Sequence, residues 1–114
     1  MTSHDALARR PFGATGINVP PISVGCAPLA DMQETFGYSV AEGDAVATIL
    51  AALDSSINYL DTAALYGDGE SERRIGLALR QLGGLPEGAV LQSKVGAEPD
   101  GTFDGDSTRR RFER

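Results

Sequence analysis

The chain has 114 residues, of which 41% are hydrophobic and 23% charged, with a formal charge of −6. This composition excludes a disordered or low-complexity chain, and the acidic balance argues against general attraction to nucleic-acid phosphates or anionic lipid. No stretch approaches the roughly 18 apolar residues of a membrane span, and the single Cys26 allows no internal disulfide, so a cytoplasmic protein with no membrane or nucleic-acid partner is expected.

Residues 1–8 are short and polar and read as a loosely held tail carrying His4, the one histidine. Arg9 to Pro20 reads as two short extended runs around Thr15-Gly16, a hairpin signal ended by Pro20-Pro21. Ile22-Ser23-Val24 is a strand, and the small residues Gly25, Cys26 and Ala27 that follow it would let a ligand approach the backbone. Leu29 to Tyr38 reads as a loop. Ser39 and Glu42 have capping-box spacing, so a helix is expected to start there, and Val46, Ile49, Leu50, Leu53 and Ile57 recur at helical intervals. Ile57 to Thr62 is rich in β-formers and predicts a second strand, followed by a loop over 63–70.

Ile75, Ala78, Leu79 and Leu82 predict a second helix over Ser71 to Leu82, with Gly83-Gly84 as its stop. Ala89 to Val95 is a third strand, and after a polar stretch over 96–106 Ser107 is expected to cap a third helix. Two βα units, the start of another and no hairpin after residue 21 predict an α/β fold with a parallel sheet covered by helices.

In a parallel α/β array the loops after the strand ends gather on one face. Asp61 ends the second strand, Tyr66 lies in the loop after it, and Lys94 nears the end of the third, so the three can converge there. An ammonium beside a phenol stabilises the phenolate, and a carboxylate holds that ammonium charged and oriented, so such a Tyr can exchange a proton with a carbonyl or alcohol oxygen. Gly67 to Glu72 lacks the third glycine of a dinucleotide fingerprint and follows a loop, so it reads as a turn into a helix. Cys26 reads as a small buried filler rather than a redox thiol, Arg109 to Arg111 with Arg114 as a solvated helix face, and no metal site is assigned.

The string Asn58 to Glu72, followed by Ile75-Gly76 and by Leu91 to Gly96, resembles the N-terminal part of the aldo-keto reductases, and the likeness extends over residues 9–114. Phe36 to Val40 is further similar to members acting on aldoses such as fucose or on pyridoxal. The resemblance implies a (β/α)8 barrel. Residues 9–114 would supply its hairpin plug and about two and a half βα units, too little to close a barrel of about 250 residues. It implies Asp61, Tyr66 and Lys94 as three members of a catalytic tetrad with Tyr66 as proton donor, Gly25, Cys26, Ala27 and Asp61 beside the nicotinamide of NADP or NAD, and a small carbonyl compound or aldose as substrate. The family's tetrad histidine and its phosphate-binding loops come from later strands and have no counterpart here, and His4 does not replace that histidine.

Two functions are therefore expected as alternatives. One is an NAD(P)-dependent oxidoreductase. The other is a non-catalytic partial barrel that self-associates through exposed sheet edges or apolar faces, or pairs with a missing complement; a cofactor-sensing regulatory relative is a variant of the second.

Overall fold

The computed structural model describes residues 7–114. His4 and most of the expected tail lie outside the described residues. The hairpin forms as the sequence predicts: β1 (Arg10–Pro11) pairs antiparallel with β2 (Asn18–Val19). Its turn uses Gly13 and Gly16 at φ +55° and +79°, and the Thr15 hydroxyl donates to Phe12 O at 2.6 Å. The Arg9 guanidinium ties this hairpin to the main sheet, donating to Asn18 O and Gly88 O at 2.6 Å each and to Asn58 Oδ1 at 2.8 Å.

The main sheet is parallel, in the order β3 (Val24–Gly25), β4 (Tyr59–Asp61), β5 (Val90–Gln92). Val24 pairs with Leu60 and Leu60 with Leu91, while Gly25, Asp61 and Gln92 form the next row. β3 begins later than the expected strand at Ile22, which is exposed. Pro20 and Pro21 have no N–H to donate, and pairing starts only past them.

The stretch expected as a loop holds a 3-10 turn, Pro28–Ala30, and a one-turn helix α1 (Gln33–Phe36). Both are too short to display a hydrophobic period. The next helix, α2 (Glu42–Leu53), starts without the expected capping box. Ala41 occupies the cap position, the Ser39 hydroxyl donates instead to Gln33 Oε1 at 3.0 Å, and Glu42 pairs with Arg73. The helix also stops at Leu53, short of Ile57. There Ser55 bonds back to Ala52 O at 2.7 Å and accepts the Ile57 N–H at 3.1 Å, turning the chain toward β4.

α3 (Glu70–Leu82) ends as predicted on a left-handed Gly83, with Gly84 N donating to Leu79 O at 2.9 Å. α4 (Gly105–Glu113) starts earlier than expected. Asp104 is its cap, accepting the Ser107 N–H at 2.8 Å, while the Ser107 hydroxyl accepts the Asp104 N–H at 2.8 Å, so Ser107 is the third-residue partner of the box rather than the cap. No helix among the described residues is long and apolar enough to cross a membrane.

α2 and α3 pack on one face of the sheet, and Leu60, Ile49, Ile75, Val46, Leu53, Ala78 and Cys26 form the core between them. Each fully buried large aliphatic residue there contributes about 1.5–3 kcal/mol relative to exposure. Two polar clamps complete this layer. Arg74, itself buried, donates to Leu29 O and Val40 O at 2.9 Å each and to Glu70 Oε2 at 2.7 Å, pinning both ends of the β3–α2 connection to α3. Buried Ser71 donates to Cys26 O at 3.1 Å and lies 2.7 Å from Thr62 Oγ1, joining the ends of β3 and β4.

Gly67 sits at φ +63°, where an added Cβ would lie 2.7 Å from Ala30 Cβ and 3.1 Å from Ala30 O. Gly67→Ala should cost about 1–2 kcal/mol for the left-handed backbone and about 1–3 kcal/mol more for the overlap. Gly16→Ala, whose new methyl meets nothing within 4 Å, should incur only the first loss. Urea melts showing equal losses for the two variants would contradict the close approach at Ala30. A second expectation concerns acid. Hydrogen bonds from Arg73 and Arg74 lower the Glu70 carboxyl from 4.5 to about 2, so its stabilisation is fully present above pH 4.5 and fades as pH falls through about 2. Glu70→Gln should therefore be less stable at neutral pH and should lack that acid-dependent loss. An unchanged acid limb in chemical denaturation would show that the clamp does not depend on this charge.

Candidate active site

Three segments meet at the carboxyl-terminal edge of the sheet. β4 and β5 continue to pair beyond their formal ends, with Thr62 N donating to Gln92 O at 2.9 Å and Ala64 N to Lys94 O at 3.2 Å. This brings the backbone of Lys94 alongside the loop that carries Tyr66. The loop is itself held at both ends. Tyr66 N donates to Ala63 O and Ser71 N to Tyr66 O, each at 3.2 Å, and the left-handed Gly67, Asp68 and Gly69 turn directly into α3. The turn-into-helix reading of Gly67 to Glu72 describes this segment correctly.

Asp61, Tyr66 and Lys94 do converge. Lys94 Nζ lies 2.7 Å from Asp61 Oδ1, 3.0 Å from Thr62 O and 3.3 Å from Tyr66 Oη, so three acceptors surround its three protons. It also stands 5.0 Å from the centre of the Tyr66 ring. The hydrogen bond to Asp61 is the main reason the Lys94 ammonium is held above the usual lysine range; desolvation opposes it, and the hydrogen bond to Tyr66 adds a smaller raising effect. The Lys94 side chain is 46% exposed and that of Asp61 29%, so the group is open to a ligand from the sheet face.

Two further residues belong to this arrangement and escape the sequence reading. Gln92 Nε2 donates to Asp61 Oδ1 at 3.0 Å, and the Tyr59 hydroxyl donates to Gln92 Oε1. The signal that could have found them is the two-residue period of a strand: Tyr59 and Asp61 share a face of β4, as Gln92 and Lys94 share one of β5 and its continuation.

The residues expected near a cofactor divide. Gly25 is directly opposite Asp61 and exposed, and nothing lies within 4 Å of where a Cβ would stand. Cys26 points to the other side, fully buried in the helix-facing core, with its thiol 3.4 Å from Val24 O. Burial, and then the negative charge of Asp61, pushes that thiol up to about 11, which is the behaviour of a packing residue and not of a reactive one. Cys26 reaches the site only through its main chain, its N–H donating to Asp61 O at 2.9 Å, and Ala27 does so only by opening the 3-10 turn.

The arginines of α4 are engaged locally: Arg109 with Asp106 at 3.4 Å, Arg110 with Glu98 at 3.9 Å, and Arg111 with Ala97 O at 2.8 Å. A cleft of about 640 Å³ opens between them and the start of α3, lined by Gly69, Glu72, Ser93 and Lys94 among others. It borders the Asp61–Lys94–Tyr66 group on one side only. Chemically, the group is a phenol whose oxygen accepts from a charged amine, so the phenolic proton is free to be donated outward.

Comparison with known proteins agrees with this geometry. The chain is 38% identical to pyridoxal 4-dehydrogenase of Microbacterium luteolum over 91 residues, covering 80% of this chain and 25% of that protein. It is 36% identical to L-galactose dehydrogenase of Arabidopsis thaliana over 102 residues, covering 90% of this chain and 30% of that protein. The chain thus spans between a quarter and a third of the length of these relatives. Its fold superposes on an aldo-keto reductase structure from Pseudomonas aeruginosa with a TM-score of 0.71 and 35% identity, over 96% of this chain and 41% of that one. That neighbour has a TIM-barrel fold, and the residues described here form a partial α/β layer of such a fold without a closed barrel. The model of the aldo/keto reductase family matches residues 21–114, and with the fold and the strand-end residues in agreement, the chain belongs to that family.

Proposed function

We propose that the chain is the N-terminal portion of an NAD(P)-dependent oxidoreductase acting on a sugar or aldehyde carbonyl, with Tyr66 as its proton donor. The observation that carries this reading is the position of Lys94 Nζ, bonded at once to Asp61 Oδ1 and Tyr66 Oη. With Lys94 donating to the phenol oxygen, Tyr66 gives its own proton to the substrate oxygen in the reduction direction, and the ammonium stabilises the phenolate left behind. Asp61 keeps Lys94 charged and aimed. In the oxidation direction the same phenolate takes the proton from the substrate hydroxyl.

The residues present fit a nicotinamide at one point. Gly25 leaves an open patch of sheet beside Asp61 where a flat ring could lie against the backbone. When bound there, the nicotinamide supplies or accepts the hydride. The substrate class follows from the relatives, a pyridoxal dehydrogenase and an L-galactose dehydrogenase. The hairpin is the proposed plug of the barrel's lower end: Arg9 fastens it to Asn58 and Gly88, which stand just before β4 and β5 at the edge opposite Tyr66.

The test is turnover of pyridoxal and of aldoses with NADPH or NADH, followed by cofactor absorbance, alongside a fluorescence titration of the reduced cofactor. Tyr66→Phe should lower the turnover number about 10²–10⁴-fold and leave cofactor binding intact. Undiminished turnover in Tyr66→Phe would sink the reading.

A further inference from the structure

We propose that Gln92, held from behind by Tyr59, is the positioning residue of the Asp61–Lys94–Tyr66 group, fixing the rotational setting in which the Asp61 carboxylate meets Lys94. The functional meaning of this rests on the reading of that group as an acid–base centre; its geometry does not.

The placement follows from the sheet. Asp61 and Gln92 are paired across β4 and β5, and the strand period puts Tyr59 and Lys94 on the same face. A carboxylate turns about a broad, two-fold torsion, and nothing in its covalent structure favours one setting of its plane. Lys94 cannot impose the choice alone, because an ion pair between a half-exposed ammonium and a partly exposed carboxylate contributes little by itself and both side chains lose freedom in making it. Gln92 supplies the missing constraint. Its Nε2 meets Oδ1 at 3.0 Å, the same oxygen that takes Lys94 Nζ at 2.7 Å.

The amide cannot serve equally well when flipped. A carboxylate only accepts, so Nε2 must face Asp61 and Oε1 must face away. Oε1 then needs a donor, and the Tyr59 hydroxyl provides it. The result is a directional series, from Tyr59 to Gln92 to Asp61, in which each donor has one acceptor and the last acceptor is also the Lys94 partner. The charged or titratable groups facing this series are Lys94 and Tyr66 on one side and, through the strand, the buried Cys26 thiol that senses the Asp61 charge.

The chain offers its own reporter. Lys94 is the single lysine, so selective isotope labelling of lysine gives one side-chain NMR signal whose titration midpoint follows the Asp61 contact. Asp61→Asn sets the full size of the effect by moving that midpoint down toward the ordinary lysine range. Gln92→Met keeps the length of the side chain and removes both amide bonds, and it should lower the midpoint by more than about a third of the fall seen in Asp61→Asn. Tyr59→Phe, which leaves Gln92 in place, should move it in the same direction by less.

A midpoint unchanged in Gln92→Met while Asp61→Asn lowers it would overturn the proposal and leave Gln92 as filler. Should Gln92→Met fail to fold, Tyr59→Phe and the unmutated protein decide: the Gln92 side-chain amide protons must exchange slowly with solvent, and free exchange with an unmoved Tyr59→Phe midpoint overturns the proposal as well. The two readings fail separately. A fallen midpoint together with turnover undiminished in Tyr66→Phe would uphold the positioning and refute the reductase, whereas Tyr66-dependent turnover with an unmoved midpoint would do the reverse.

Discussion

Leu60 and Asp61 are neighbours on the middle strand, and the strand period sends their side chains to opposite faces of the sheet. Leu60 is completely buried among the residues of α2 and α3, while Asp61 stands on the open face with Lys94 and Gln92. A register slip of one residue would exchange them, placing a carboxylate in the core and a leucine in the site. The apolar force that seats Leu60 therefore also orients Asp61. Among the described residues β4 is the only strand of this sheet with a partner on each side, so this one alternation sets the register of Gly25 and Gln92 as well.

The strands position only half of the site. Tyr66 belongs to a loop, and its place depends on how that loop enters α3. The entry is fixed by contacts that have no part in proton transfer: Ser71 bonded to Cys26 O and beside Thr62, Gly67 pressed against Ala30, and Arg74 holding Leu29 O and Val40 O. Each spans from α3, or the turn that enters it, to the β3 side of the layer. A shift of α3 would thus move Tyr66 relative to Lys94, whose own position is set by β5. The 3.3 Å contact between them is the join of two separately built parts.

The features legible in the sequence are those with a period or a strong local signal. The hairpin, both long helices, three parallel strands and the meeting of Asp61, Tyr66 and Lys94 all follow from residue spacing and strand-end placement. The details that differ are decided by tertiary competition. Ser39 and Glu42 have the spacing of a cap, yet Gln33 takes the hydroxyl and Arg73 takes the carboxylate, so the helix starts without either. Ser107 is a good cap residue, but Asp104 three positions earlier takes the role and leaves Ser107 the reciprocal one. Alternation after Gly25 turns the Cys26 side chain into the core, as its reading as a buried filler expects, and leaves only its main chain on the Asp61 side. Gln92 reads as the polar end of a strand, and only its cross-strand pairing with Asp61 brings it to the site.

The division of positive charge follows the same logic. The chain carries nine arginines and one lysine, and several of the arginines act as fixed clamps: Arg9 on the hairpin, Arg74 on the β3–α2 connection, Arg73 between two helices. A guanidinium suits that work because its planar fork holds two or more acceptors in set directions and stays charged. Asp61, Thr62 O and Tyr66 Oη demand something else, three acceptors gathered around one point from different directions. A fork at that place would lie flat against the Asp61 carboxylate and turn its remaining donors along its own plane. An ammonium has its three donors on one atom and can meet all three acceptors at once. The lysine is thus set by geometry before any argument about proton transfer begins, and its proximity to the phenol follows from the same three contacts.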